Sequence, residues 1–370
     1  MSRILIPAWS FYPSQEGGPS NALYWLASGL AKSGFCVRVV STNRCLMPGQ
    51  VIENTWTRLN GFDVIYSSVE NYHNLMEKEI VNCDVLIANG VCSIKSFRLN
   101  KRALKLGKKV ILSPRGELFD SAVFHKGRIY GLLKSVMFFI MKKTYGQKVL
   151  YHATSPEEVE SIKKYMGTSA HISLIPNYMI LPEKVDVENP LEPYLLYVGR
   201  LNHIKNIDII LSGLAKSTAF LNGNIKLKLA GEKKGEYYES LVNQAKELGI
   251  SDRVEFLGMV TGEEKDKLYA GARCLLLMSK SENFGNVVVE ALSQGTPAIA
   301  SKGTPWKRLE DCRAGYWIDA DSDMLAKTID SLLMLSDESY KLMRKSAYDL
   351  SREFDIYSNV DKWAELINTL

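Results

Sequence analysis

The feature that most constrains this chain is a strand–helix rhythm that runs once, breaks, and starts again. Residues 3–9, 36–42, 63–69, 84–89, 109–113 and 149–154 are short runs rich in Val, Ile, Leu or Tyr, without strict polar alternation. Strands covered by helices on both faces read this way, so the pattern predicts a parallel, doubly wound sheet. A glycine-containing loop and a helix over 20–32 follow the first run. Residues 186–193, DVENPLEP, shift to acids and prolines and predict a linker. The rhythm then resumes, with strands at 194–198, 225–230, 254–257, 274–278 and 297–300 alternating with helices at 206–215, 237–248, 263–270 and 287–294. A chain of 370 residues suits two domains, each with its own core. The expected architecture is α/β, with two Rossmann-like doubly wound domains facing across a cleft. Residues 1–185 form the first and 194–350 the second; residues 351–370 form a terminal helix returning toward the first, with Tyr357, Trp363 and Leu366 at helical spacings. In such sheets ligands gather at the carboxyl ends of strands, which directs attention to the loops that follow them.

Four such loops in the second half carry chemistry. After the strand at 194–198 comes Val198-Gly199-Arg200-Leu201-Asn202-His203-Ile204-Lys205. Gly199 permits a tight exit, and the planar fork of Arg200 with the compact charge of Lys205 suits a diphosphate, although a solvated loop would look the same. Further on, Ser281-Glu282-Asn283-Phe284-Gly285-Asn286 runs into an apolar helix bearing Glu290. Gly285 lets backbone approach a ligand, and a helix start offers N–H groups to an anion. Glu282 and Glu290 could bind sugar hydroxyls or a ribose diol; alternatively Glu290 complements the helix dipole and Glu282 is solvated. A buried Glu on so apolar a helix needs a partner.

The ordered set V-G-R-L-x-x-x-K, L-A-G-E, R-V-x-F-L-G and E-N-F-G-x-x-x-x-E-A-L-x-x-G-x-P resembles the family 4 (group 1) retaining glycosyltransferases of the GT-B fold. The match is close over 194–297 and general elsewhere. The resemblance implies that Arg200, Lys205 and Glu282 serve catalysis. The two cations would neutralise the donor diphosphate, and Glu282 would meet the transferred sugar. Gly199, Phe284, Gly285 and Asn286 would bind the donor through backbone, Glu290 would hold its ribose, and Met259 and Val260 would pass its base. Gly17 and Gly18 would close over the diphosphate. It further implies a nucleotide-sugar donor, a glycan or lipid-linked glycan acceptor, and no cofactor or metal.

Two positions depart from the pattern. Arg115 stands in Leu112-Ser113-Pro114-Arg115-Gly116-Glu117, where many members carry His. Arg115 and Glu117 are therefore acceptor-side candidates, with the alternative that Arg115 is a structural partner of Glu117. In Pro176-Asn177-Tyr178, Gly commonly follows the Asn, which would shape the interdomain connection. His125, His152 and His203 read as structural rather than as replacements for the missing His. Residues 319–323, Asp-Ala-Asp-Ser-Asp, superficially resemble a metal motif but directly precede a helix at 324–334, so capping is the better reading.

Charge is unevenly distributed. Residues 1–180 hold 22 Lys and Arg against 12 Asp and Glu, and 14 of those cations lie in 95–148 beside only Glu117 and Asp120. Residues 126–148 mix these cations with apolar side chains, which on a helix suits either an anionic membrane surface or ordinary packing on the sheet. The first residues lack a signal-peptide pattern, 136–141 is far too short to span a bilayer, and the six cysteines include no CxxC pair. A cytoplasmic enzyme, peripheral on the cytoplasmic membrane face and serving cell-surface polysaccharide assembly, is the expectation. No nucleic-acid-binding pattern is present. The rivals are a nucleotide-sugar epimerase of the same architecture and a non-catalytic nucleotide-sugar-binding protein.

Overall fold

The computed structural model describes residues 2–14, 18–125, 127–185 and 193–370. The chain divides into two compact units, Met1–Ile180 with Phe354–Leu370, and Leu181–Glu353. The expected linker, apart from Pro193, and Gly17 lie outside the described residues.

The first unit is built on eight strands: β1 (Arg3–Ala8), β2 (Cys36–Thr42), β3 (Thr57–Leu59), β4 (Phe62–Ser67), β5 (Val85–Asn89), β6 (Lys109–Ser113), β7 (Val149–Ala153) and β8 (His171–Leu174). Their order across the sheet is β3-β4-β2-β1-β5-β6-β7-β8. All pairings are parallel except β3 with β4, an antiparallel edge closed by Asn60-Gly61. That edge and β8 were not expected: β3 has three residues and no buried one, and β8 is exposed at both its ends. The central strands are buried along nearly their whole length, because helices cover both faces. Residues 354–370 belong to this unit; Met179 and Asp355 form an isolated bridge, and Ile356, Trp363 and Ile367 enter the core beside β1 and β2.

The helix Arg128–Tyr145 packs inward through Gly131, Phe138, Met141 and Tyr145. A second apolar stripe on the same helix faces solvent: Ile129, Leu132, Leu133, Val136, Phe139 and Ile140 are all exposed. Packing on the unit therefore accounts for only one of its two apolar faces.

The second unit carries a wholly parallel six-stranded sheet: β9 (Tyr194–Val198), β10 (Lys226–Ala230), β11 (Val254–Gly258), β12 (Cys274–Leu277), β13 (Ala298–Ser301) and β14 (Gly315–Ile318), ordered β11-β10-β9-β12-β13-β14. Order reverses beside β9, so the loops after β9 and β12 meet at the switch point where ligands of open sheets bind.

Candidate functional site

Backbone hydrogen bonds stitch the exits of four adjacent strands of the second unit into one rim. Gly199 N–H donates to Ala230 O at 2.9 Å, and Gly231 N–H to Gly258 O at 2.9 Å. Gly231, the glycine of L-A-G-E, has a physical requirement behind it: an added Cβ would sit 2.3 Å from Gly199 O. The loop after β9 turns through His203–Lys205, and Lys280 N–H donates to Ile204 O at 2.7 Å, tying that loop to the one after β12. Asn206, buried and left-handed at φ +50, donates from Nδ2 to Met278 O at 2.9 Å and starts the helix Ile207–Leu214. Met259 and Val260 follow β11 on the same rim, Met259 exposed.

On this frame the Lys205 ammonium donates to Glu282 Oε2, and Ser279 Oγ donates to the same oxygen at 3.4 Å. Both members of the pair are about one-sixth exposed, at 17% and 18%. The two residues expected to take diphosphate and sugar thus compensate one another. Arg200 is exposed, while its carbonyl accepts the Tyr197 hydroxyl at 2.9 Å. A fixed backbone with a reaching guanidinium suits an anion arriving from solvent.

Phe284, Gly285 and Asn286 lead into the helix Asn286–Ser293. Gly285 is left-handed, at φ +83, and as the N-cap it has no side-chain acceptor to offer the first turn. Trp306, buried and absent from the sequence expectations, donates its indole N–H to Phe284 O and packs against the Phe284 ring at 5.4 Å. Glu290, in the second turn, is buried at 6% exposure. Its Oε1 meets Lys265 Nζ at 3.0 Å and its Oε2 accepts the Tyr269 hydroxyl at 2.8 Å. The partner that burial demanded is therefore a lysine and a tyrosine from the helix Gly262–Gly271. Burial, reinforced by Glu290, drives the Tyr269 hydroxyl well above the ordinary phenol range, so it remains a donor.

The acidic triplet at 319–323 caps a helix. Asp321 Oδ1 accepts Asp323 N–H at 3.0 Å and Met324 N–H at 2.8 Å at the start of the helix Ser322–Leu333, while Asp319 pairs with Lys302 and Asp323 with Lys216. Among the described residues no group of three or more His, Cys, Asp or Glu is placed to hold a metal ion.

In the first unit, Gly18 opens the helix Gly18–Lys32. Arg115 lies beyond the carboxyl end of β6, left-handed at φ +55 and followed by Gly116 at φ +81. It does not pair with Glu117. Its Nε donates to Asn89 Oδ1 at 3.0 Å and its Nη1 to Asn177 Oδ1 at 2.8 Å. Glu117 Oε2 instead accepts the N–H groups of Val91 at 2.5 Å and Cys92 at 2.8 Å. Asn177, expected to shape a connection, is thus an arginine ligand. His152 is buried, with Ser113 Oγ on Nδ1 and Ile175 O on Nε2, both at 2.8 Å, and Trp363 against its ring. Burial, with Arg115 adding to it, pushes its pKa down to about 3, so the ring is neutral.

Residues 183–350 match the family described as "Glycosyl transferases group 1". Among curated relatives, a D-inositol 3-phosphate glycosyltransferase of Mycobacterium sp. (strain KMS) is 34% identical over 172 residues, 45% of this chain and 37% of that protein. A Campylobacter jejuni alpha-1,4-N-acetyl-D-galactosaminyltransferase, whose name gives a PP-undecaprenol-linked glycan as acceptor, is 31% identical over 180 residues, 48% of each protein. This chain therefore spans between about a third and a half of the length of these relatives. Among solved structures, the sucrose-phosphate synthase of Thermosynechococcus elongatus superposes with a TM-score of 0.75 at 17% identity, covering 100% of both chains, and so shares the fold. The segment 183–350 belongs to the group 1 glycosyltransferase family, and the chain that carries it has the two-sheet GT-B architecture.

Proposed function

We propose that the chain is a retaining, metal-independent glycosyltransferase. It moves a hexosyl-type residue from a nucleotide-diphosphate sugar to a glycan acceptor, lipid-linked, in cell-surface polysaccharide assembly. The observation that carries this reading is the convergence of Arg200, the Lys205–Glu282 pair and the Gly285-led helix start on the carboxyl rim of the second sheet.

Sugar transfer passes through an oxocarbenium-like state while a nucleoside diphosphate leaves with growing negative charge. Arg200, Lys205 and the helix start supply positive potential where that charge develops, which lowers the barrier without a metal. When the diphosphate arrives, Lys205 gains a second anionic partner and Glu282 is released toward the sugar hydroxyls. Glu290, fixed by Lys265 and Tyr269, accepts hydroxyls of the donor ribose with its remaining lone pairs. The attacking hydroxyl approaches on the face of the leaving group and a phosphate oxygen takes its proton, so Glu282 forms no covalent intermediate.

The Campylobacter relative's named acceptor supports the lipid-linked assignment. So does the helix Arg128–Tyr145, whose exposed aliphatic stripe is accompanied by Arg128, Lys134, Lys142 and Lys143 and by no acid within the helix. Apolar side chains with flanking cations suit the interface of an anionic leaflet. No helix among the described residues is long and apolar enough to cross a membrane, and the proposed location is peripheral, on the cytoplasmic face.

The test is a panel of UDP-, GDP- and ADP-sugars, followed by NMR of the product with and without EDTA. One donor is expected to be consumed with its anomeric configuration kept and EDTA without effect. A metal requirement or an inverted product would sink those parts of the reading, and an epimerised nucleotide sugar would replace transfer altogether. In flotation, the full chain is expected to rise with vesicles of phosphatidylglycerol and phosphatidylcholine. No binding at modest salt would remove the membrane assignment.

A further inference from the structure

The first unit contains a cation whose surroundings leave it incomplete. Arg115 is half-buried, and desolvation lowers its guanidinium pKa to about 10, with Glu158 raising it in partial compensation. Its bonded partners are two neutral amide oxygens, of Asn89 and Asn177. Neither neighbouring carboxylate bonds the guanidinium directly, although Glu158 attracts it electrostatically. Glu117 is committed to the N–H groups of Val91 and Cys92. Glu158 accepts Gly116 N–H at 2.6 Å, Thr154 N–H at 2.8 Å and the Thr154 hydroxyl at 2.9 Å. His152 is neutral and has its two carbonyl and hydroxyl partners within the fold. Among the described residues Arg115 forms no ion pair, and its Nη2 carries no hydrogen bond. A partly desolvated cation bonded only to neutral oxygens, with its nearest carboxylate acting at longer range, gains from an anion that reaches it.

The backbone is held against preference at the same residue. Arg115 is left-handed at φ +55, a conformation that an L-side chain adopts at a cost of about 1 kcal/mol or more. Its place is the carboxyl edge of the parallel sheet, between the ends of β5, β6 and β7, where open α/β sheets bind ligands. The two amides grip Nε and Nη1, so the guanidinium plane is oriented before any ligand arrives.

We propose that Arg115 is a preorganised anion receptor that takes a phosphate or carboxylate oxygen of a substrate through its unbonded edge. Where a neutral imidazole could only exchange hydrogen bonds with sugar hydroxyls, this guanidinium selects for charge. The inference rests on the glycosyltransferase reading for the word substrate, but the anion site stands on unit-one geometry alone. The anion is either the donor diphosphate or a charged group on the acceptor.

Isothermal titration of the full chain with inorganic phosphate, and separately with UDP, tests it. In an Arg200→Ala/Lys205→Ala background, adding Arg115→Gln is expected to weaken phosphate binding at least tenfold, whereas Arg115→Lys keeps part of the affinity. Phosphate is also expected to raise the melting temperature of that background and to lose this effect with Arg115→Gln, a response that a purely structural arginine would not show. A tenfold loss of UDP affinity in the Arg115→Gln single variant assigns the anion to the donor. Unchanged UDP affinity, with phosphate binding lost in the double-variant background, assigns it to the acceptor. Equal phosphate affinity with Arg or Gln at 115, with UDP binding also unaltered, overturns the inference. Absence of UDP binding to the wild-type chain would instead refute the donor reading and leave the phosphate arm to decide on Arg115.

Discussion

Replacing Gly285 with alanine perturbs the donor rim at a single methyl group. Gly285 sits at φ +83, ψ +63, which costs an L-residue roughly 1–2 kcal/mol. The new Cβ would stand 3.2 Å from Leu277 Cδ2, 3.2 Å from Trp306 Nε1 and 3.3 Å from Glu282 Cγ. Leu277 and Trp306 are buried, and the indole is hydrogen-bonded to Phe284 O, so neither recedes freely. Overpacking of this kind adds about 1 kcal/mol at the low end of its range. The expected loss is therefore about 2–3 kcal/mol, which in a unit of this size lowers the melting temperature by roughly 4–12 °C. The third clash bears on function: displacing Glu282 loosens its bond to Lys205 and moves the helix start. Calorimetry with and without UDP reads both effects, and UDP affinity is expected to fall about tenfold, worth roughly 1.4 kcal/mol. A Gly285→Ala protein melting within about 1 °C of wild type, with UDP affinity intact, would refute the assignment of a left-handed, closely packed glycine at the rim.

Three further outcomes follow from the structure. His152 has a folded pKa of about 3 against an ordinary 6.5, so between those values the unfolded chain binds the extra proton. The neutral ring's stability is fully present above pH 6.5 and is lost on acidification, by about 2 kcal/mol at pH 5. Unfolding of the His152→Gln protein should show a shallower decline from pH 7 to pH 5, and an unchanged decline would count against the assignment. Asp321→Ala removes two accepted N–H bonds and should cost about 1 kcal/mol in chemical denaturation, with Mn2+ leaving the wild-type melt unmoved; a Mn2+-dependent rise abolished by the substitution would reinstate the metal reading. Glu117→Ala removes the oxygen that accepts two backbone N–H groups and should destabilise the chain by about 1–3 kcal/mol. A change in acceptor KM at unchanged stability would instead make Glu117 a substrate ligand.

What could be read from the sequence follows the range of the interactions. The alternating strands and helices were legible because burial between helices leaves a local imprint on each strand. The antiparallel β3–β4 edge was legible in principle, since Asn60-Gly61 is a strong hairpin signal, but β3 has only three residues and no apolar run. The strand β14 hides in Gly-Tyr-Trp-Ile, directly after a helix turn. At the site, the motif order located the loops, and the buried Glu290 announced its need for a partner. The identity of that partner did not follow: Lys265 lies 25 residues away on a helix whose pattern carries no trace of the pairing. Lys205 and Glu282, 77 positions apart, looked like two ligand contacts and are also each other's counter-ion. Arg115 shows the same limit. Its neighbour in sequence is Glu117, but the chain turns left-handed between β6 and that acid, and the amides of Asn89 and Asn177 hold the guanidinium instead.

The central claim is that the carboxyl rim of the second sheet binds a nucleotide-sugar donor and stabilises its departing diphosphate. The most direct test is the single-turnover rate of sugar transfer from the preferred donor by wild type, Arg200→Ala and Lys205→Ala. Arg200 is exposed, so its loss should leave the fold unmoved. Each substitution is predicted to slow transfer by about a hundredfold or more, as expected for removing positive potential from a developing anion. Transfer at the wild-type rate by either protein would contradict the account.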